Sequence, residues 1–408
     1  RQTAQCFNYL SLLLLALGCW TVLSVLSEAW SGGAPSSPSS TEELEACAWS
    51  HLEQHAPLLD VPPIARSEFL HRQATLAAAL EAAGPSASTA YYANVSSNFD
   101  LSERPFLVVI DRRGGLTTLV PKFEVGRIAK LEMIYDTRTT ITWGEEESPY
   151  DPLVRTAGLS KVMVDEHARY MIVAGLQKAG VEVVPMSDAV QSLRSVKTDA
   201  EIAILKAINA FTLELVRSLQ KCIQVGATQE AVAAYPHGGE SGRTLQDGEL
   251  VLIDIGSILH GYGSDVTRTI LPVGATVSDD LMGIWRTVHA AQSAGFERMN
   301  VNETCSDVDA ASRAVVEQAG FGPFFTHRLG HGLGLEMHEP PYLNGANSHK
   351  LKAGEVATNE PGIYVTTEQA GLVGKKIGFG VRLEDPILVT ETGGVPLTGR
   401  RALSPWDP

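Results

Sequence analysis

Three apolar stretches in the C-terminal half of the chain each carry an acid where burial forbids one. Asp254 interrupts "VLIDIG", Glu360 ends the apolar run in "VATNEPGIYV", and Glu384 sits beside Arg382 in "GFGVRLEDPILV". An unpaired carboxylate buried in an apolar strand costs several kcal/mol. A salt bridge satisfies one such acid, and Arg268 is a candidate partner for Asp254. A violation repeated in three strands is better explained by acids that converge on a shared cation.

Further ligands are sought in residues 326–341, "THRLGHGLGLEMHEPP", which hold three of the chain's 11 histidines. A zincin carries HExxH on one helix face. Here His338-Glu339 is followed by Pro340-Pro341-Tyr342, with no second histidine in register. His327 and His331 have i,i+4 spacing, but Gly330, Gly332 and Gly334 each weaken a helix by about 1 kcal/mol. The segment therefore reads as an extended loop or strand that supplies one ligand while others come from elsewhere. Asp265, in "GYGSDVTRTI", brings the carboxylates to four. One histidine with Asp254, Asp265, Glu360 and Glu384 is too oxygen-rich and too charged for a single four-coordinate Zn²⁺. It suits two divalent ions about 3.5–4 Å apart, bridged by carboxylates, that activate a water for attack on a carbonyl. That chemistry is metal-assisted hydrolysis, with a peptide or amide as the natural substrate.

The 408 residues, 44% hydrophobic, suffice for two domains of ordinary size. A net charge of −15 argues against a nucleic-acid partner, which needs clustered Lys and Arg. From Gln2 to Ser27 there is no charged residue, and the apolar run is long enough to cross a bilayer as a helix. A signal-anchor is the favoured reading over a cleaved signal peptide, which usually has a shorter apolar region and a small-residue cleavage site, and the linker composition of "SGGAPSSPSS" argues against a buried soluble helix. The sequons at Asn94 and Asn302 suit a secretory route, so the protein is expected membrane-anchored or secreted, on the extracellular or vacuolar side. Of five cysteines, Cys6 and Cys19 lie in the apolar run. Cys47, Cys222 and Cys305 are too widely spaced to read as a disulfide framework or a CxxC metal site.

The fold class expected is α/β. After the leader (1–27) come a linker and short helix (28–57), a small α/β domain (58–195) and a catalytic domain (196–408). "RPFLVVIDRRGGLTTLVP" reads as a hairpin turning at Gly114-Gly115. "VDEHARYMIVAGLQKAG" reads as a helix stopped by Gly180, with "VEVVP" a strand after it. Thr198 and Glu201 form a capping box that opens the catalytic domain.

The motifs "DIG", "GYGSDVTRT", "HRLGHGLGLEMHE", "NEPGIY" and "VRLED" together resemble the pita-bread metallopeptidases, which include methionine aminopeptidase, aminopeptidase P and prolidase. The likeness runs from about Thr198 to Thr398. "PHG" at Pro236 to Gly238 and the histidine segment look more like the Xaa-Pro subgroup. "LSERPFLVVI" looks like the creatinase-N-like domain of secreted or membrane-linked fungal Xaa-Pro peptidases. The resemblance implies that Asp254 chelates one ion, Asp265 and Glu384 bridge both, and His331 and Glu360 hold the other. Glu360 would also move protons. His237, His327 and His338 match histidines that line the substrate site, and Arg382 an arginine that orders it. The expected cofactor is a pair of divalent ions, Mn first and Co or Zn as alternatives. The expected partners are peptides with proline in the second position, and a homodimer stays open.

The family pattern has about 25 more residues, a helix remnant plus a strand, between "GATQE" and "PHG". The catalytic domain is therefore expected to be shortened near residues 230–236. Two rivals remain. One is a creatinase-like C–N hydrolase, opposed by the intact ligand set. The other is a binding module on the same fold with impaired catalysis.

Overall fold

The Asp111–Gly115 turn shows how local chemistry sets the first sheet. Asp111 Oδ1 accepts from the backbone N–H of Arg113 (2.7 Å) and Gly115 (3.0 Å). Gly114 supplies the left-handed conformation (φ 78°) that the turn needs. The flanking strands β1 (Leu107–Ile110) and β2 (Leu116–Pro121) pair antiparallel, as the sequence predicts. A third strand, β3 (Arg138–Trp143), adds parallel to β2. Strands β4 (Lys161–Val164) and β5 (Glu182–Pro185) are parallel and joined through the helix Tyr170–Lys178, which ends before Gly180 (φ 87°). These elements bury Val109, Leu119, Ile141, Trp143, Leu153, Val162 and Leu176 in one core.

This computed structural model describes residues 41–83, 89–95, 103–136, 138–164, 168–228 and 243–408. The contacts divide the chain into a unit Pro62–Val196 and a unit formed by Lys197–Pro408 with the residues before Pro62. The apolar run 2–27 and the segment holding His237 lie outside the described residues. Among those described, no helix is long and apolar enough to cross a membrane.

In the larger unit the capping box forms as predicted. Thr198 Oγ1 accepts from Glu201 N–H, and Glu201 accepts from Thr198 N–H (2.9 Å), at the head of the helix Asp199–Cys222. The strands are β6 (Val251–Ile255), β7 (Ile258–Leu259), β8 (Tyr262–Gly263), β9 (Val266–Ile270), β10 (Gly330–Gly332), β11 (Glu339–Leu343), β12 (Val356–Asn359), β13 (Gly362–Val365), β14 (Phe379–Arg382), β15 (Asp385–Thr390) and β16 (Gly393–Pro396). One sheet runs β11-β10-β12-β15-β16. The pairs β6–β9, β7–β8 and β13–β14 form separate antiparallel ladders. The helices Asp279–Arg298 and Cys305–Gln318 bury Trp285, Val288 and Val308 in a core shared with Leu329, Ala357, Ile363 and Ile387.

The cysteine reading needs correction. Cys47 and Cys222, 175 residues apart, form a disulfide, and Cys305 is buried and free. Sequence spacing gives no hint of this bond. It exists because the helix Thr41–Leu52 packs against the far end of Asp199–Cys222.

Candidate metal centre

Each of the five predicted ligands is held by its own part of the fold. Asp254 lies in β6, where strand alternation sends it to the face opposite Ile253 and Ile255. Asp265 immediately precedes β9, and its backbone N–H donates to Asn209 Oδ1 (3.2 Å). His331 is the middle residue of β10, and Glu360 follows β12. Glu384 was expected inside a strand. It occupies instead the short link where the chain leaves β14, paired to β13, and enters β15, paired to β12.

The glycines around His331 serve close approach. A Cβ at Gly330 would collide with the Thr358 carbonyl, and one at Gly332 with the carbonyls of Glu339 and Pro340. The small residues thus let β10 sit tightly between β11 and β12, in the extended form expected.

The electrostatics of the cluster suit a bound cation. His331 Nδ1 donates to the Gly332 carbonyl (3.1 Å), so Nε2 faces Glu360 Oε1 (3.3 Å) and Asp265 Oδ2 (3.6 Å). Burial, the largest cause, pushes His331 down to about 3, so near neutral pH the ring is uncharged and Nε2 is an acceptor. Ionised carboxylates of Glu360 and Asp265 would therefore face an acceptor. Burial first, then Asp254 and Glu360, raises the Asp265 carboxyl well above its ordinary range. Burial first, then Asp265 and Glu360, does the same for Glu384. Burial lifts Glu360 to about 7. Buried acids that repel one another around a neutral imidazole are stabilised as anions by a cation. The donor atoms fall into three groups, each within 4.8 Å: Asp254, Asp265 and Glu384; His331, Glu360 and Glu384; and Asp265, His331 and His338. Glu384, Asp265 and His331 each belong to two. Such an oxygen-rich set with one imidazole fits hard or borderline divalent ions.

The predicted surrounding residues are also placed. The His338 ring stands edge-on to His331, 4.2 Å between centroids, and one of its ring nitrogens falls within ligand reach of Asp265 and His331. His327 Nδ1 donates to the Arg328 carbonyl (2.7 Å), so Nε2 accepts from the Tyr364 hydroxyl (3.0 Å). That hydroxyl in turn accepts from Arg382 Nη1 (2.9 Å). Arg382 also pairs with Asp254 through Nη2 and donates to Thr267 Oγ1 (3.1 Å), whose hydroxyl donates to Glu384 Oε2 (2.6 Å).

Arg268 is not the partner of Asp254. It stands opposite Ile253 in the β6–β9 register, whereas Thr267 stands opposite Asp254. Cross-strand partners share a face, so Arg268 points away from Asp254 and pairs with the buried Asp385 (2.6 Å).

Sequence reasoning missed Tyr364, Thr267 and Thr358. The Thr358 hydroxyl accepts from His331 N–H (3.0 Å) and donates to Glu360 Oε1 (3.1 Å). All three lie in or beside the acid-bearing strands, at alternate positions facing the site. Strand alternation counted outward from each acid would have found them.

Residues 176–391 match the family described as metallopeptidase family M24. An uncharacterized peptidase of Schizosaccharomyces pombe is 35% identical over 449 residues, covering 98% of this chain and 95% of the relative. That stretch is longer than the 408-residue chain, so the relative has internal positions this chain lacks. The crystal structure of the dipeptidase PepE from Mycobacterium ulcerans is 28% identical, with a TM-score of 0.73 over 83% of this chain and 98% of its own. The Xaa-Pro dipeptidase from Bacillus anthracis is 26% identical, with a TM-score of 0.64 over 82% and 98%. The expected α/β pita-bread architecture is the fold of this chain. With more than half its length matched and the donors converged, the chain belongs to metallopeptidase family M24.

Proposed function

We propose that the chain is a dinuclear metal-dependent exopeptidase of the Xaa-Pro dipeptidase type, acting on short peptides with proline in the second position. The observation that carries this reading is the pair of three-donor groups that share Glu384. The names of similar proteins, dipeptidase and Xaa-Pro dipeptidase, support the substrate class.

Asp254 would hold one ion and His331 with Glu360 the other, while Asp265 and Glu384 would serve both. Mn²⁺ suits the hard carboxylate set. Bound there, the ions supply Lewis acidity and lower the pKa of a water toward neutrality. Glu360, beside the His331 ring and the Thr358 hydroxyl, is the carboxylate placed to accept that proton and return it to the leaving amine. His327 is fixed in tautomer and orientation by Tyr364 and Arg382, and His338 stands over His331. These two are assigned to orient the peptide and stabilise the oxyanion. His237 is proposed for the same role. A secretory location, anchored or released, is supported by the apolar run 2–27 and by the Cys47–Cys222 disulfide, which persists in oxidising compartments.

The test is metal analysis of the purified protein, together with hydrolysis of Gly-Pro and of Xaa-Pro-Xaa peptides with and without Mn²⁺. Bound metal with Mn²⁺-dependent cleavage of Gly-Pro is expected. Protein that binds no divalent metal refutes the reading. Protein that binds metal and cleaves neither peptide is a binding module on a peptidase fold.

A further inference from the structure

The metal centre has a support that lies outside the family's matched region, in the residues before Pro62. The helix Thr41–Leu52 and the 3-10 turn Glu53–Leu59 pack along the helix Asp199–Cys222. One buried cluster runs from Leu44 and Ala48 through Leu213, Val216 and Cys222 to Ile253, Val266 and Ile270. A second joins Leu52, Trp49 and Leu59 to Phe211, Leu215 and Ile255. Ile253 and Ile255 flank Asp254 and point to the opposite face of β6. The apolar packing therefore backs the strand whose front carries the ligand.

The same long helix reaches Asp265 by hydrogen bonds. Asn209 accepts from Asp265 N–H (3.2 Å), and the Thr212 hydroxyl meets the Ser264 hydroxyl (2.7 Å). Neither the clusters nor these bonds include His331 or Glu360. The N-terminal segment is fastened to this helix covalently by Cys47–Cys222, and also by His55 against Glu214 (3.4 Å). Nearby, His260 Nε2 donates to the Val61 carbonyl (3.0 Å).

We propose that residues 41–59, pinned by Cys47–Cys222, are a positioning element for β6 and the start of β9, the strands that carry Asp254 and follow Asp265. The segment acts through the helix Asp199–Cys222 and leaves His331 and Glu360 to the sheet. Asp254 serves one ion alone and Asp265 is shared, so releasing the pin weakens the ion that Asp254 holds more than the other. This inference rests on the two-ion reading above.

The experiment uses the full chain, stripped of metal and titrated with Mn²⁺ by calorimetry. Intact protein is compared with Cys47→Ser, with phosphine-reduced wild type, and with Leu52→Ala, which keeps the disulfide. Mn²⁺ is the probe because freed Cys47 and Cys222 thiols beside His51 would take a softer ion. Hydrogen exchange is followed in the same samples. The expected result is that one Mn²⁺ site weakens about tenfold or more in each altered form while the other weakens clearly less, as for loss of an outer-shell support. Exchange should quicken in residues 251–255 and 265–270 and stay unchanged in 356–359 and 385–390. Equal weakening of both sites, uniform loss of protection, or unchanged Mn²⁺ affinity in the altered forms overturns the proposal. If Cys47→Ser does not fold, the reduced wild type and Leu52→Ala decide. Wild type that binds no Mn²⁺ defeats the two-ion reading itself, which separates the two failures.

Discussion

Glu384 joins the donor group of Asp254 to that of His331 and Glu360, so its loss and that of Asp254 should differ. Glu384→Gln is expected to lose both ions, and Asp254→Asn to lose one. Elemental analysis of the two variants checks this, and two retained equivalents in Glu384→Gln sinks the shared-ligand assignment. Tyr364→Phe removes the hydroxyl that links Arg382 to His327. It should keep both ions and lower kcat about 10- to 100-fold, the usual cost of an outer-shell partner. Metal loss in that variant would make Tyr364 part of the ligand framework. The cluster also sets a pH dependence for the metal-free protein. Burial raises Glu360 from 4.5 to about 7 when folded. A raised carboxyl binds its proton more tightly folded than unfolded. Its contribution is therefore full below 4.5 and is lost as pH rises through about 7, roughly 3 kcal/mol for this shift. Asp265 and Glu384 add in the same direction, whereas His331 and His327, lowered by burial, oppose it and gain stability as pH rises to about the free imidazole value of 6.5. Above that value only the acids still titrate, so metal-free protein should melt at lower temperature at pH 8 than at pH 6.5, and the gain in Tm on adding Mn²⁺ should be larger at the higher pH. A metal-free Tm that rises over that range contradicts the charge argument. Asp254, Glu360 and Glu384 stood out as candidates because each interrupts an apolar run, and His331 because its glycine-rich segment cannot be a helix, whereas Asp265 was found only by its place beside Asp254 in one segment. Tyr364, Thr267 and Thr358 break no such pattern, so only the folded register exposes their part.

At the scale of elements, the readable features were those whose cause is local. The Asp111–Gly115 hairpin turn, the helix stop at Gly180 and the Thr198–Glu201 capping box each follow from a few adjacent residues. The extended form of residues 330–332 was legible from glycine spacing, but the reason for the glycines was not. That reason is tertiary: β10 passes so close to β12 that Gly330 has no room for a side chain beside the Thr358 carbonyl. Gly330→Ala should therefore cost about 1–3 kcal/mol by overpacking. It should also displace His331, so that metal affinity falls together with Tm. A variant that melts like wild type and binds Mn²⁺ equally would show that the strands part without cost. The place of Glu384 in the β14–β15 link, the Arg268–Asp385 pair and the Cys47–Cys222 bond escaped the sequence for a shared reason. Each depends on which distant strands or helices become neighbours.

At the scale of the whole molecule, the five candidate donors meet in a unit that aligns with a longer relative from S. pombe. The S. pombe relative has internal positions with no counterpart here, and the sequence reading expects a segment to be absent before Pro236. Among the described residues, β6 has a ladder along one edge only, to β9. A strand on its other edge would satisfy backbone groups that, if buried and unpaired, cost roughly 1–3 kcal/mol each. A few such groups weigh heavily against a typical net stability of about 5–15 kcal/mol. They also sit on the strand that carries Asp254, so loosening there acts on the metal centre as well as on the fold. Inserting a family-like segment of about 25 residues, one helix remnant plus one strand, before Pro236 is therefore expected to raise Tm and Mn²⁺-dependent turnover of Gly-Pro together. The N-terminal segment, pinned at Cys222, backs β6 by its face and cannot pair its edge, so the two supports should add. Reducing the disulfide should then cost the inserted form less Mn²⁺ affinity than it costs the chain as it stands. If the inserted form is no more stable and no faster, the open edge of β6 is already closed by other means, and the short segment before Pro236 is neutral for this enzyme.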